Sequence, residues 1–524
     1  MTQTQTTAAG WDAGALTAAL APAQGLVEWA LVDGVPALYA PAPGPLTAGL
    51  VFRVGFVDET LATRGITHLV EHLALFEQNL TELHHNGQTT ETYTHFHVTG
   101  DADDVVRFMS GVCAALRALP VRRLETEKTI LRTEAANTSY AAAQSARLWR
   151  YGAQGLGLTG YAELGLARLT EDQVQAWAST YFTRDNAVFY VTGESLPEGL
   201  TLDLPAGRRM PVPDTPTTLT QTPAYYSHRD GVVLLDSVCE RSTEALFLSR
   251  YLGRALFRDL RQEGGFSYTA DADYTPWSAT RASLRAYADA LPDHREAALG
   301  AFVDTMASLR RVPIDEAEFE LVRKQALTSL DLPHPGARSL PTNVLELLWG
   351  GDIAGVGEAR ERYESVTPEA VRAAAEQVWS NALLQIPTRG LEWAGVAPAP
   401  AWSADAVTGT SYAYADGEDS LVIGPDGASL VTPAGASTVR FADCVILQSR
   451  PDGARTLIGA DGFTVAIEPT MFRGLTPEAL AAAIDPRIPE DKIVRLPARD
   501  PQDIPAPRPA DRMSRLKDVL RRRR

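Results

Sequence analysis

Apolar and polar residues follow the same order in two long segments of the chain. Strand-like apolar runs open both segments, at residues 50–57 (LVFRVGFV) in the first and at 232–235 (VVLL) in the second. Longer stretches with the 3.6-residue period of amphipathic helices follow each run. The pattern predicts an α+β unit that occurs twice, about 200 residues apart, which is far longer than a solenoid repeat.

The two segments also close in the same way. Thr170 and Thr367 each precede a helical stretch with an acidic residue in its first turn. A threonine at the N-cap can accept hydrogen bonds from the free backbone N–H groups of that turn. Asn186 and Asn381 then come before apolar runs that are typical of strands, AVFYVTG and ALLQIP. This order predicts that both segments end in a helix followed by a buried strand.

Asp-Gly pairs mark the last part of the chain, and short apolar runs such as LVIG, RTLIG and FTVAIEP lie between them. Asp-Gly favours tight hairpin turns because both residues tolerate positive φ. The pairs are Asp416-Gly417, Asp426-Gly427, Asp452-Gly453 and Asp461-Gly462. We predict a small antiparallel β barrel or sandwich here, followed by a short helix over 476–484.

Two proline-rich stretches, 208–223 and 391–410, show neither a helical nor a strand period and are predicted to be linkers. They divide the chain into three predicted domains, over 1–207, 224–390 and 411–485. Residues 486–524 are expected to form a flexible tail. Its last fourteen residues carry seven basic and two acidic side chains, and a charge run of this kind is usually solvated.

Charge and composition limit the classes of function. The net charge of −17 disfavours nucleic acid and anionic lipid as partners and favours basic substrates, although it also serves solubility alone. No run of uninterrupted apolar residues is long enough for a transmembrane segment, and the N-terminus lacks the pattern of a signal peptide. Cys113, Cys239 and Cys444 are odd in number and far apart, which indicates reduced thiols. We therefore expect a cytoplasmic protein.

His68 and His72 lie four residues apart in the helical stretch ITHLVEHLALFEQNL. Residues i and i+4 of an α-helix share a face, so the two imidazoles can bind one ion. Glu71 borders the same face and can take a proton from a water on that ion. Zinc suits imidazole and carboxylate ligands, and it lowers the pKa of a bound water to about 7. The motif predicts a catalytic zinc site. The alternative is two surface histidines on an amphipathic helix.

A third ligand is required, and a later helical stretch offers two candidates. Glu127 and Glu134 stand seven residues apart in LETEKTILRTEAANTSY. Seven residues make two helical turns, so both carboxylates lie on one face. One could bind the ion while the other orients a ligand from behind. Spacing alone does not choose between them, and it also fits two solvated surface glutamates.

Together these residues resemble the M16 metallopeptidases, the group of pitrilysin, insulin-degrading enzyme and the mitochondrial processing peptidase. The inverted H-x-x-E-H motif is the hallmark of that family. The second glutamate of the spaced pair is a zinc ligand in the family. The resemblance therefore implies Zn2+ held by His68, His72 and Glu134. It also implies catalytic roles for Glu71 as the base and for Glu127 as a supporting carboxylate.

Two further motifs extend the resemblance over about residues 15–390. Asn86 and Gly87 open a segment similar to the family's Asn-Ala-x-Thr, which precedes a strand. Arg261 and Tyr268, in FRDLRQEGGFSYTADADY, match the pair that completes the substrate site in the family's second domain. The resemblance implies that all four residues bind substrate. From the residues alone, Arg261 could equally be a helix-end charge and Tyr268 a core aromatic.

The implied fold class is α+β, with two related α/β-sandwich domains of the M16 type that face each other across a cavity, plus the small C-terminal antiparallel β barrel. A substrate peptide would add as a strand to an exposed sheet edge, here residues 90–98 (TETYTHFHV). His95 and His97 share a face of this segment. They, and His84 and His85, are predicted to be strand or loop histidines beside the site and not further ligands.

The C-terminal part resembles a PH-like domain, a β barrel closed by a helix, and the lack of a basic lipid-binding cluster favours protein docking. The implied function is a zinc-dependent endopeptidase that hydrolyses short or unfolded peptides. The alternative is a non-catalytic or partner-dependent M16 homologue that acts as a scaffold or subunit in a protein complex. Expected partners are peptide substrates, a second subunit in a homo- or heterodimer, and a protein bound by the C-terminal domain, but not nucleic acid.

Overall fold

The computed structural model of the chain describes residues 10–76, 78, 84–137 and 142–507. The chain divides into two compact units, Met1–Ala399 and Pro400–Arg524, which we call unit 1 and unit 2. Unit 1 contains two six-stranded sheets, and unit 2 contains two four-stranded sheets. All the residues predicted to bind metal or substrate lie in unit 1.

The first sheet of unit 1, sheet 1, is mixed and has the strand order β1-β2-β6-β3-β5-β4. Its strands are β1 (Glu28–Val32), β2 (Val35–Ala40), β3 (Leu46–Phe52), β4 (His84–Thr89), β5 (Thr94–Gly100) and β6 (Ala187–Thr192). The helices of this half are α1 (Ala13–Leu20), α2 (Ile66–Phe76), α3 (Ala102–Arg117), α4 (Leu124–Asn137), α5 (Ala142–Tyr151) and α6 (Glu171–Tyr181). One core packs α2, α3 and α6 against a face of the sheet.

The second sheet, sheet 2, has the strand order β12-β7-β11-β8-β10-β9. Its strands are β7 (Ala224–Ser227), β8 (Val232–Glu240), β9 (Ala270–Pro276), β10 (Arg281–Asp289), β11 (Ala382–Ile386) and β12 (Ala397–Pro398). The helices of this half are α7 (Thr243–Leu256), α8 (Arg295–Arg311), α9 (Glu316–Leu330), α10 (Pro335–Trp349), α11 (Val356–Ser365) and α12 (Pro368–Ser380). A π-helical stretch, Phe257–Glu263, continues α7.

The predicted internal repeat is confirmed by the strand order. In both sheets the last long strand, β6 or β11, pairs in parallel with the strand on one side and antiparallel with the strand on the other. Both predicted helix starts are also confirmed. Thr170 accepts a hydrogen bond from the backbone N–H of Gln173 before α6, and Thr367 does the same for Ala370 before α12.

Two sequence-based boundaries in unit 1 need correction. The strand predicted over 50–57 is shorter at this end, because β3 ends at Phe52. The next residue, Arg53, is buried, and its guanidinium donates to the backbone oxygen of Thr92. The predicted linker 391–410 is not free of structure. Its β12 pairs in parallel with β7 and so extends sheet 2.

The two halves of unit 1 are joined by a buried ion pair. Arg150 on α5 donates from Nε to the Asp236 carboxylate on β8 at 3.1 Å, and both side chains are almost fully buried. Arg150 also donates to the backbone oxygen of Asn381 at 2.9 Å. These contacts tie a helix of the first half to two elements of sheet 2.

The described part of unit 2 has eight strands in two open sheets, ordered β13-β14-β15-β16 and β19-β18-β17-β20. The strands are β13 (Thr410–Ala413), β14 (Ser420–Ile423), β15 (Gly427–Thr432), β16 (Gly435–Arg440), β17 (Cys444–Ser449), β18 (Arg455–Gly459), β19 (Thr464–Ile467) and β20 (Ile493–Arg495). The four Asp-Gly pairs fall at strand connections, as predicted. The predicted helix is present as α13 (Pro477–Ile484). The closed barrel is not confirmed.

The predicted tail is partly structured. β20 pairs in parallel with β17, so the chain beyond residue 486 returns to the sheet of unit 2. Its basic end, 511–524, lies outside the described residues. None of the described helices is both long and apolar enough to cross a membrane. The three cysteines are buried and free, as predicted.

Candidate metal centre

Helix α2 presents two histidines on its polar face. Its other face is apolar, and Ile66, Leu69 and Val70 are buried in the core against sheet 1. The rings of His68 and His72 therefore project away from the core one turn apart. Their centroids are 4.8 Å apart and their planes are nearly perpendicular.

Glu134 on α4 reaches the same point as the two rings. Its Oε2 lies 3.9 Å from Nε2 of His68 and 3.7 Å from Nε2 of His72. The ligand atoms of the three residues all lie within 4.8 Å of one another. Glu134 is half exposed, whereas the histidines are mostly buried. This geometry separates the two candidate glutamates, because it is Glu134 that meets both Nε2 atoms.

The outer ring nitrogens of both histidines face carboxylates. Nδ1 of His68 is 2.8 Å from Oε1 of Glu163, and Nδ1 of His72 is 3.4 Å from Oε2 of Glu127. Glu127 is in turn held by the guanidinium of Arg123 at 3.0 Å. A carboxylate next to Nδ1 stabilises the tautomer with the proton there, which leaves the lone pair of Nε2 for a metal. Glu127 therefore contacts the candidate ligand His72 at the ring nitrogen that faces away from Glu134.

Glu71 lies beside the candidate ligand group in a buried position. Its side chain is 5% exposed, and its Oε2 is 3.8 Å from Nε2 of His68. The hydroxyl of Thr89 on β4 donates to the same oxygen at 3.2 Å. Burial raises the pKa of Glu71 above the usual range of a glutamate, while the nearby His68 and His72 act in the opposite direction. A carboxylate with a raised pKa is better matched to accepting a proton near neutral pH.

Gly87 provides the space that Glu71 occupies. A Cβ atom at this position of β4 would lie 2.2 Å from Oε1 of Glu71, closer than any real contact. Residues 87 and 89 point to the same face of β4, since side chains alternate along a strand. The strand therefore shapes the position of the candidate base in two ways. Thr89 donates a hydrogen bond to Glu71, and Gly87 leaves room for its carboxylate.

The edge strand next to the site is β4, and the predicted edge at 90–98 is wrong. That segment contains most of β5, which pairs with β3 on one side and β4 on the other. Among the strands that the structure describes, β4 pairs only with β5 and ends sheet 1. Asn86 lies on this strand with its side chain exposed, and its Oδ1 accepts a hydrogen bond from the N–H of Gly87.

The structure brings Arg261 and Tyr268 to each other. The guanidinium lies over the Tyr268 ring, 4.8 Å from its centroid, and over the ring of Phe257 at 5.1 Å. Tyr268 is 68% exposed, so it is not a core aromatic. Among the described residues neither side chain hydrogen-bonds or ion-pairs with His68 or Glu71.

The histidines of β5 do not join the candidate ligand group. The rings of His95 and His97 are 4.9 Å apart on one face of the strand, and Nε2 of His95 is 3.3 Å from the hydroxyl of Tyr190. Burial lowers the pKa of His95 to about 3, and His97 adds to this effect. The ring of His85 lies near Phe108 of α3. The side chain of His84 is outside the described part of the chain.

Two residues that contact the candidate site, Glu163 and Thr89, are not indicated by the sequence motifs. Glu163 contacts a histidine 95 positions earlier in the chain, and no spacing rule connects a loop residue to such a partner. Thr89 lies in the segment that resembles the family motif, so that resemblance was the one available signal for its contact with Glu71.

Unit 1 has an architecture of two repeated α+β sandwiches, and a comparison with protein families defines its class. Residues 168–326 match the family model described as the peptidase M16 inactive domain. This part of the chain is therefore similar to an M16 domain, and the M16 resemblance predicted from the motifs is confirmed. The matched residues begin after Glu163, so they lie outside the part that carries His68, His72 and Glu134. The PH-like resemblance of unit 2 is not confirmed.

Several solved structures share the fold. A protease from Helicobacter pylori aligns with a TM-score of 0.59 and 14% identity, over 69% of this chain and 99% of the other. The first half of the periplasmic protease PqqL from Escherichia coli aligns with a TM-score of 0.56 and 15% identity, over 71% of this chain and 93% of the other. A chain of complex III from Candida albicans aligns with a TM-score of 0.56 and 12% identity, over 68% of this chain and 95% of the other. At such identities the likeness shows the fold alone. No curated protein matches the chain.

Proposed function

We propose that the chain is a zinc-dependent endopeptidase that hydrolyses short or unfolded peptides. The observation that carries the proposal is the convergence of His68, His72 and Glu134, whose ligand atoms lie within 4.8 Å of one another. Glu71 lies beside them, 3.8 Å from His68. The three candidate ligands and the candidate base come from helices α2 and α4, and β4 contacts the base through Thr89.

The donor set fits zinc. Two imidazoles and one carboxylate are a common catalytic set, and they leave a fourth position open for water. Ligand atoms around tetrahedral zinc lie about 3.4 Å apart when the bonds are about 2.1 Å. The distances from Glu134 to the two Nε2 atoms, 3.9 and 3.7 Å, are near that value. When bound, zinc supplies a Lewis acid that polarises the peptide carbonyl and lowers the pKa of water to about 7.

Glu71 acts as the general base in this proposal. Its buried carboxylate accepts a proton from the attacking water and returns it to the leaving amine. The hydrogen bond from Thr89 keeps one carboxylate oxygen turned toward β4. Glu127 supports the reaction indirectly, because its contact with Nδ1 of His72 keeps that ring oriented.

The edge of β4 that no described strand pairs with is the proposed binding edge for the peptide. Backbone hydrogen bonds to an edge strand accept many sequences, which suits a broad peptide substrate class. Asn86 and Gly87 lie on that edge, and Gly87 is next to Glu71. The exposed Arg261 and Tyr268 are proposed to contact substrate from the second half of unit 1.

Replacing Gly87 with valine is expected to lower peptide hydrolysis at least tenfold and to leave zinc binding in place. The branched side chain would enter the space of the Glu71 carboxylate, since a Cβ alone would already lie 2.2 Å from Oε1, and an error of about 1 Å in a catalytic group costs up to 100-fold. Steady-state hydrolysis and metal content measure the two effects. Gly300→Val is the matched control, since a Cβ there meets nothing within 4 Å. Hydrolysis at the wild-type rate by Gly87→Val would contradict this assignment of the edge.

Metal analysis of the purified chain, combined with cleavage of a peptide library, tests the proposal. We expect one zinc per chain, cleavage within unstructured peptides, and loss of both in His68→Ala. Removal of zinc by a chelator should abolish cleavage, and added zinc should restore it. A chain that binds zinc but cleaves nothing alone would indicate that a second subunit, in a homo- or heterodimer, is needed.

The alternative is a scaffold or subunit without catalysis of its own. The complex III chain shares the fold of unit 1 at a TM-score of 0.56, so this fold occurs within a larger assembly. In such a role, unit 2 would be the part that docks a protein partner. A chain that binds no zinc would favour this alternative, and one zinc per chain with His68-dependent cleavage would reject it.

A further inference from the structure

We infer that Glu163 is a positioning residue that fixes the ring of His68 for metal binding, through a buried charge chain that starts at the first turn of α2. The inference rests on the proposed zinc site. It concerns the residues that contact Nδ1 of His68, the ring nitrogen that faces away from the proposed metal. Neither the motifs nor the family match identifies these residues.

The contact between Glu163 and His68 is the tighter of the two carboxylate–histidine contacts. It measures 2.8 Å, against 3.4 Å from Glu127 to His72. The Glu163 side chain is 10% exposed and His68 is 27% exposed. Hydrogen bonds to an ionised carboxylate are short and about twice as strong as neutral ones. This contact therefore holds the His68 ring in one orientation.

Arg64 connects Glu163 to a second buried carboxylate. Its Nη1 is 3.7 Å from Oε1 of Glu163 and 3.1 Å from Oε2 of Glu59. The guanidinium also lies over the Phe56 ring at 4.0 Å, and its Nε donates to the backbone oxygen of Leu158. One cation thus lies between two buried carboxylates and offsets part of the cost of removing them from water.

Glu59 is the last residue of this series of charges and lies at the helix that carries the two histidines. Its carboxylate accepts hydrogen bonds from the backbone N–H groups of Gly65 and Thr67, both at 3.0 Å, at the start of α2. These N–H groups have no partner inside a helix and attract negative charge. The chain Glu59–Arg64–Glu163 therefore links the start of α2 to the ring of His68 on the same helix.

Two further observations describe how closely Glu163 is enclosed. A Cβ on Gly65, which has a φ of +102°, would lie 2.8 Å from Cβ of Glu163. Glu163 Oε2 is buried and has no hydrogen-bond partner among the described residues. The carboxylate is therefore held by contacts of Oε1 alone, with His68 and Arg64.

Zinc affinity, measured by competition with a chelator, tests the inference. Glu163→Ala should raise the zinc dissociation constant about 10- to 100-fold, which is the usual cost of losing an outer partner of a histidine ligand. Glu163→Gln keeps an acceptor oxygen and should show a smaller rise, within about tenfold. Glu198→Gln, at an exposed glutamate away from the site, should bind zinc like the wild type.

Thermal unfolding of the metal-free chains separates positioning from a merely structural role. We expect similar unfolding midpoints for all variants, because Arg64 remains paired with Glu59. Wild-type zinc affinity in both Glu163 variants would overturn the inference, whether or not the midpoint falls. If Glu163→Ala does not fold, Glu163→Gln decides alone. A wild-type chain that binds no zinc would reject the proposed function as well, whereas zinc lost in His68→Ala but unchanged in the Glu163 variants would reject this inference only.

Discussion

Glu71→Gln is expected to retain zinc and to lose peptide hydrolysis by about 100- to 10,000-fold, the range that a general base contributes. Glutamine has the shape of glutamate, so the space left by Gly87 and the hydrogen bond from Thr89 are kept. What it lacks is a carboxylate that can accept a proton. None of the three candidate ligands is changed, which is why metal content should stay at the wild-type level.

The measurement compares turnover with metal content in the same preparation. Glu198→Gln is the matched control, because it makes the same chemical change on an exposed side chain outside the site. Its turnover should equal that of the wild type. Full turnover by Glu71→Gln would exclude Glu71 as the base, and loss of zinc from it would mean that Glu71 is itself a ligand.

The second large effect separates the two glutamates of α4. Glu134→Ala should weaken zinc binding by about 300- to 8,000-fold, if three side chains share equally a binding free energy of about 10–16 kcal/mol, the range of structural zinc sites. Glu127→Ala should weaken it by only about 10- to 100-fold, because that residue contacts the far nitrogen of His72. Chelator competition measures both constants.

Glu125→Ala is the control on the same helix. Its carboxylate is exposed and pairs with Lys128, away from the ligand group, so zinc affinity should not change. The ranking of the two other variants carries the information. A larger loss in Glu127→Ala than in Glu134→Ala would reverse the assignment of ligand and supporting carboxylate.

Much of the site follows from local sequence. The i, i+4 spacing of His68 and His72 places two imidazoles on one helical face, and the spacing of Glu127 and Glu134 places two carboxylates on another. Which carboxylate reaches the histidines depends on how α2 and α4 pack, and spacing within one helix does not determine that. The contact of Glu163 with His68 is more distant still, since it comes from a loop 95 positions later.

The error in the edge strand has a physical cause. Along β5 buried and half-buried residues alternate, as in a strand at the border of a sheet. Here the alternation arises because one face packs on the helices and the other carries His95 and His97, while strands β3 and β4 still flank β5. The edge at 90–98 was implied by the family resemblance, and the alternation along a strand shows its two faces but not its position in the sheet.

The fold of unit 2 was predictable in its turns but not in its sheets. Asp-Gly pairs are local signals, and they do fall at strand connections. The parallel pairing of β20 with β17 joins segments that are far apart in the chain, with α13 between them. Only the packing of the whole unit determines such a contact. The same packing determines that the strands form two sheets.

The most direct test is a crystal of the zinc-loaded chain, measured on both sides of the zinc absorption edge. We expect one strong anomalous peak between Nε2 of His68, Nε2 of His72 and Oε2 of Glu134, with bonds of about 2.0–2.2 Å. Glu71 should lie next to the peak without coordinating it. A peak held by other side chains, or no peak at this position in zinc-saturated crystals, would contradict the proposed centre.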